Sequence, residues 1–347
     1  PFIVDAIRKR CECEVLGYTG KPDSYYRAII NWVKQRYDLD VTKEMINFVP
    51  GIVPGIGMAM NSFTRPGDKV MIQPPVYHPF AWVTTRNERT LVTNPLKWEN
   101  GMYRMDLDAF REQVKGCKLF ILCNPHNPGG VVWTEDELRT VAEICYEEKV
   151  LVFSDEIHAD LTLPPYKHRP FATISEKAKM NSVTFMSPSK AFNMPGLAAS
   201  HAIIFNEDLR ARFRKFMDAG ELDMGHVFAF LSVEAAYTHG TEWLDQCLAY
   251  IQGNIDYVDN FLKTHAPRIK AIRPQASYLV WLDCRELGLN QEALNDFFAD
   301  KAHLALNDGA MFGKEGTGYM RLNVASPRSV IEQAMKQLAE AYQAMSF

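Results

Sequence analysis

The 347-residue chain carries a formal net charge of −4, with 47% hydrophobic and 23% charged residues. This is the balance of an ordinary water-exposed globular protein with material for about two domains, and it argues against a nucleic-acid or anionic-membrane surface. Seven cysteines, with no CxxC pair and no Cys/His spacing suited to zinc, point to reduced thiols in a cytoplasmic enzyme and away from a metal site.

No apolar run approaches the ~18 residues of a membrane span, and nothing at the start reads as a signal peptide. The chain opens at Pro1 directly into an amphipathic segment, as expected for the ordered part of a longer protein. Residues 2–14 predict a helix with Ile3, Ala6 and Ile7 on one face, stopping before Gly17-Tyr18-Thr19-Gly20. Asp23 or Ser24 can cap the next helix, whose apolar face includes Ile29, Ile30 and Val33. Residues 50–57 form a glycine-rich turn opening a helix, where backbone N–H groups and the positive helix end can face a phosphate. Pro54 has no N–H, which leaves Gly55 and Ile56 as the expected donors; a plain Gly/Pro connection is the alternative. Residues 69–72 predict a strand, and the proline-dense loop 73–80 after it fixes Tyr77 either for stacking on a flat cofactor or for packing.

The middle of the chain repeats one pattern. Residues 118–123 are an apolar strand ending in Asn124-Pro125-His126-Asn127-Pro128-Gly129-Gly130, followed by a helix opened by a Thr134/Glu137 capping box. Residues 150–153 are a second strand, ending in Ser154-Asp155-Glu156-Ile157-His158, and residues 183–186 a third, ending in Ser187-Pro188-Ser189-Lys190. Strands alternating with helices predict an α/β fold whose central sheet is mostly parallel, with ligands bound beyond the carboxyl ends of its strands. All three polar motifs lie at such ends and converge on one crevice. A short strand at 200–205 and a long helical region from Leu231 to Pro267 come next. A strand at 277–282, a helix at 291–299, a strand at 319–324 and a helix at 330–342 then predict a smaller α+β domain. The expected division is an N-terminal segment 1–20, a large domain 21–243 and a small domain 244–347.

Lys190, between hydroxyls at the end of a buried strand, reads as a Schiff-base lysine. An amine condenses with an aldehyde only when deprotonated, and a desolvated cleft favours that form. Ser187 and Ser189 sit where a phosphate lies. Asp155 is suited to face a pyridine nitrogen and keep that ring protonated as an electron sink; a structural ion pair or helix cap is its alternative. Asn127 and His158 are placed for the ring oxygen, with a hydrogen-bonded core histidine as the other reading of His158.

Together, Asn-Pro-His-Asn-Pro-Gly-Gly, Ser-Asp-Glu-Ile-His, Ser-Pro-Ser-Lys and a final Arg-Leu-Asn-Val-Ala resemble the fold-type I, aspartate-aminotransferase-like family of pyridoxal 5'-phosphate (PLP) enzymes. Within it, Gln-Pro-Pro-Val-Tyr-His-Pro-Phe, Ser-Asp-Glu-Ile-His-Ala-Asp-Leu and Lys-Ala-Phe-Asn-Met-Pro-Gly-Leu resemble the cystathionine β-lyase, or cysteine C–S lyase, branch of the MalY/PatB type. The resemblance implies Lys190 as the PLP lysine, Asp155 as the pyridinium partner, Asn127 and His158 at the ring oxygen, and Tyr77 stacked on the ring. It implies a phosphate held by Ser187, Ser189 and the Gly55/Ile56 backbone, and a homodimer in which Tyr18 reaches the phosphate of the neighbouring subunit. Arg321, with Asn127, is implied to bind the substrate α-carboxylate. The expected activity is β-elimination from an amino-acid thioether such as cystathionine. Transamination is the alternative, and a regulator-binding role, alone or in addition, is a further one. Three departures stand out. Ala198 replaces the phosphate-binding arginine of the aminotransferases, as the lyase branch would have it. His226 stands where an asparagine is expected, and the family's Trp-Val-Ala-Asp-Met-Asp-Phe-like segment does not precede the first helix.

Overall fold

The apolar runs in the middle of the chain are the central strands of a seven-stranded sheet. The computed structural model describes residues 1–345. In chain order its strands are β1 (Ile46–Val49), β2 (Lys69–Ile72), β3 (Thr90–Thr93), β4 (Lys97–Glu99), β5 (Met102–Arg104), β6 (Cys117–Cys123) and β7 (Leu151–Asp155). There follow β8 (Ser182–Met186), β9 (Ser200–Ile203), β10 (Lys270–Ile272), β11 (Leu279–Asp283), β12 (Asn307–Asp308) and β13 (Tyr319–Asn323). The large sheet has the order β1-β9-β8-β7-β6-β2-β3. From β3 to β8 every neighbouring pair is parallel, and β9 alone runs against its neighbours. The protein is therefore α/β with a mostly parallel central sheet.

Burial on both faces explains why these strands read as unbroken apolar runs. Along β6, Leu119 and Ile121 join a core with Ile56 and Met60 of helix Ile52–Phe63, while Phe120 and Leu122 join one with Leu138 and Val141 of helix Glu135–Glu147. The capping box that opens this second helix is formed: Thr134 Oγ1 accepts from the Glu137 amide at 3.2 Å, and a Glu137 carboxylate oxygen accepts from the Thr134 amide at 2.9 Å.

Strands β10, β11, β13 and β12 form a second sheet, antiparallel throughout. On one face, Val280, Leu282 and Leu322 pack with Leu248, Ile255 and Val258 of helix Thr241–His265 and Met335 and Leu338 of helix Arg328–Gln343. On the other, Trp281 stacks on Tyr319 and donates to the Tyr103 hydroxyl at 3.2 Å, joining this sheet to the core beside β6.

Several local expectations need correction. The first helix ends at Cys11, and neither Asp23 nor Ser24 caps the second: its N-cap is Pro22, Asp23 pairs with Lys43 and Ser24 donates to Glu234. The long helical region is two helices, Val227–His239 and Thr241–His265, parted at Gly240. A Cβ on Gly240 would stand 2.3 Å from the Ala236 carbonyl oxygen and from the Phe192 ring, so only glycine lets the chain turn there.

Gly130 ties the loop after β6 to the second sheet. Its φ is +67°, its carbonyl accepts from the Gln275 and Ala276 amides, and a Cβ would lie 2.4 Å from that of Pro274. Gly130→Ala is expected to lower unfolding stability by about 2–4 kcal/mol, from left-handed strain plus forced separation of the two segments. Chemical denaturation checks this, and an unchanged midpoint would contradict it.

Candidate active site

The carboxyl ends of β6, β7 and β8 and the start of helix Ile52–Phe63 face β11 and β13 across a cavity of about 350 Å³. Tyr77, Asn127, His158, Ser189, Lys190 and Arg321 all line it. Asp155 ends β7 and is buried beside them.

Lys190 is half-buried and makes no hydrogen bond or ion pair among the described residues. Desolvation and the Arg321 guanidinium lower its pKa and so favour the free amine, while Asp155 pulls the other way. Burial pushes the Asp155 carboxyl up to about 7; among the described residues it accepts one hydrogen bond, from the Ile157 amide at 3.1 Å. Burial, with Lys190 and Arg321 nearby, holds His158 down to about 3, so its ring is neutral, and its Nδ1 has no partner.

Arg321 projects from β13 over the Phe312 ring. Its Nη1 donates to Asn127 Oδ1 at 3.0 Å and its Nη2 to Asn307 Oδ1 at 2.7 Å, while its Nε is buried without a partner. The guanidinium is thus held in a fixed plane with a donor to spare, as recognition of a carboxylate requires.

Two expectations about the phosphate end change. Gly55 donates its amide to the Gly51 carbonyl at 2.9 Å, and Ile56 lies a further step inside the helix, so neither faces the cavity. The free amides of the first turn belong to Ile52 and Val53, and both residues line the cavity. Ser187 is buried behind Ser189: its hydroxyl donates to the Ala199 carbonyl at 2.7 Å and accepts from the Ser189 amide at 3.1 Å. Ser187 therefore positions Ser189, which does line the cavity.

Ala198 lines the same wall with φ +47° and adds no charge. His226 serves as a helix cap. Its Nδ1 accepts from the Ala229 amide as helix N-cap, and its Nε2 donates to the Leu197 carbonyl at 2.9 Å. Tyr18 is 97% exposed, on a stretch without helix or strand, and lies outside the cavity of its own chain.

Tyr278 and Asn323 also line the site and were missed from sequence. A third omission is a buried support under Asp155. Glu156 accepts from the Ser154 hydroxyl, the Phe171 amide and His168, all within 2.8 Å, fixing the turn that carries Asp155 and His158.

These features fit PLP. A buried acid with a raised pKa is stabilised in its charged form by a cationic partner such as a protonated ring nitrogen, an amine whose charge is disfavoured by burial suits an aldehyde, and free helix-terminal amides beside Ser189 suit a phosphate.

A family model described as aminotransferase class I and II matches residues 9–338. The chain is 38% identical over 341 residues to cystathionine beta-lyase PatB of Bacillus subtilis (strain 168), spanning 98% of this chain and 88% of PatB. It is 30% identical over 349 residues to protein MalY of Escherichia coli (strain K12), spanning 99% and 89%. The crystal structure of cystalysin from Treponema denticola, which contains a pyridoxal 5'-phosphate cofactor, matches with a TM-score of 0.97 at 34% identity, covering 100% of this chain and 88% of cystalysin. With that length of agreement behind the lysine, aspartate and arginine that meet at the cavity, the chain belongs to the class I and II aminotransferase family, in its MalY/PatB branch.

Proposed function

We propose that this protein is a PLP-dependent carbon–sulfur β-lyase, cleaving L-cystathionine or related cysteine S-conjugates to a thiol, pyruvate and ammonia. The observation that carries the reading is that Lys190, whose charged form burial disfavours, and an oriented Arg321 line one cavity with Asp155 buried beside it. It is supported by the chain's similarity to PatB.

When bound, the cofactor supplies an electron sink for the charge left at the substrate Cα. Lys190 would anchor it, and its free amine would take the Cα proton as general base. Asp155 holds a proton on the ring nitrogen, an arrangement that also relieves the cost of its own burial. Tyr77 would stack on the ring, and Asn127 and His158 would hold the ring oxygen. Ser189 and the Ile52 and Val53 amides take the phosphate, with Ser187 behind them. Arg321, braced by Asn127, grips the α-carboxylate and so fixes which Cα bond faces Lys190.

We also infer a homodimer in which Tyr18 reaches the neighbour's phosphate; 97% exposure of Tyr18, beside Val15 and Leu16 at 71% and 67%, supports a covering partner. The domain division 21–243 and 244–347 is supported by the separation of the two sheets at helix Thr241–His265. Seven free thiols support a cytoplasmic setting, and among the described residues no helix is long and apolar enough to cross a membrane.

Incubation of the PLP-loaded protein with L-cystathionine, without any keto acid, is expected to release free thiol and pyruvate in equal amounts. No release, with turnover appearing once an amino donor and an amino acceptor are supplied, would replace this reading with transamination.

A further inference from the structure

Asp155 accepts a single hydrogen bond among the described residues, so its aim depends on how the backbone beneath it is held. Side chains alternate along β7: Ser154 and Glu156 share one face, and Asp155 takes the other. The Glu156 and His168 side chains are buried, with His168 Nε2 donating to one Glu156 oxygen at 2.7 Å and the Phe171 amide to the other at 2.8 Å. Between those two donors, the Arg169 carbonyl accepts from Asn124 Nδ2 at 3.1 Å. One short loop, residues 168–171, therefore ties the end of β7, which presents Asp155 and His158, to the end of β6, which leads into Asn127. Tyr37 sets its ring edge against His168 and donates its hydroxyl to Asp160, two residues past His158.

A buried polar pair of this kind adds little net stability over apolar packing, so its value lies in the geometry it imposes. Taking away His168 leaves a Glu156 oxygen without a donor in a place closed to solvent. Such a group moves toward another donor, and because Glu156 shares a peptide bond with Asp155, its movement turns the acid that faces the cofactor ring. A misplacement of about 1 Å can cost about 10² in rate. Resting on the PLP reading of the site, we propose that His168 is a positioning residue: through Glu156 it holds Asp155 at the ring nitrogen and His158 at the ring oxygen, although it does not itself line the cavity. Its Nδ1 is buried and without a partner, so the bond from Nε2 is the polar contact through which it acts.

The dissociation constant for PLP, together with kcat and KM for pyruvate release from L-cystathionine, tests this in His168→Leu, His168→Asn and His168→Gln. Gln can bring its amide nitrogen to the place of Nε2, and Asn is one methylene short of it. Leu and Asn are expected to weaken PLP binding about tenfold and to lower kcat about 30-fold. KM is expected to stay within about threefold, because Arg321 keeps its bonds to Asn127 and Asn307. Gln is expected to bring affinity and kcat back to within about threefold of the parent. Denaturant midpoints of the cofactor-free variants show which are folded, and if Leu is not, Gln against Asn decides. Parental affinity and kcat in Leu or Asn, whatever their midpoints, or a loss that Gln does not restore, would overturn the positioning role and leave the lyase reading standing. No pyruvate from parent or variants, with the expected pattern in PLP affinity, would overturn the lyase reading and leave the positioning role standing.

Discussion

Lys190→Ala is expected to abolish the visible absorbance of the lysine-linked cofactor and to lower turnover by about 10⁴-fold, because one amine serves as both anchor and base. The fold should be untouched. Lys190 makes no hydrogen bond among the described residues, and its burial already disfavours its charge, so removing it costs the scaffold little. Thermal unfolding of the cofactor-free variant should match or slightly exceed the parent. A variant that keeps the visible band would remove Lys190 from the anchoring role, and one that loses the band only because it unfolds would be seen in the same melt.

Asp155→Asn is expected to cost about 10³-fold in turnover, because a neutral amide no longer holds a proton on the ring nitrogen. Its second effect is on stability and has a definite sign. In the cofactor-free protein, burial pushes the Asp155 carboxyl up to about 7 from an ordinary value of 3.8. The folded state therefore keeps a proton that the unfolded chain releases, and stability falls as pH rises through that interval. His158, His126 and His201, held by burial near 3, 4 and 3, act in the opposite direction: the unfolded chain gains protons as pH falls below 6.5, so their contribution is lost on acidification. Asp155→Asn removes only the first effect. The variant should gain stability relative to the parent as pH rises from 4 to 7, measured by denaturant midpoints without cofactor. A difference that stays flat over that range would mean Asp155 is not buried in the way described.

Five of the groups legible from sequence share one property: each sits at or just beyond the end of a buried strand. Asn127, Asp155, His158, Ser189 and Lys190 come just after apolar runs in β6, β7 and β8, and parallel topology forces such ends to converge. What escaped was set by detail finer than that rule. The phosphate-facing amides moved from Gly55 and Ile56 to Ile52 and Val53 because the helix begins immediately after Gly51, and helix starts are poorly marked when proline and glycine alternate. Ser187 looked equivalent to Ser189 in the sequence; only the position of the Ala199 carbonyl separates them. Tyr278 and Asn323 reach the cavity from the second sheet, where no strand-end rule applies; Arg321, on the same strand as Asn323, was read only through the resemblance of Arg-Leu-Asn-Val-Ala. Strand β3 was missed because it is an edge strand with no fully buried residue, unlike β2 of the same length.

The hydrogen bond between Arg321 and Asn127 spans 194 positions of sequence. During synthesis, the nascent chain therefore carries Lys190 and Asp155 for well over a hundred residues before the arginine that disciplines them leaves the ribosome. Until then a half-built crevice holds a reactive amine with nothing to govern which amino acid meets it. Late arrival of β13 thus makes carboxylate selection one of the last acts of folding.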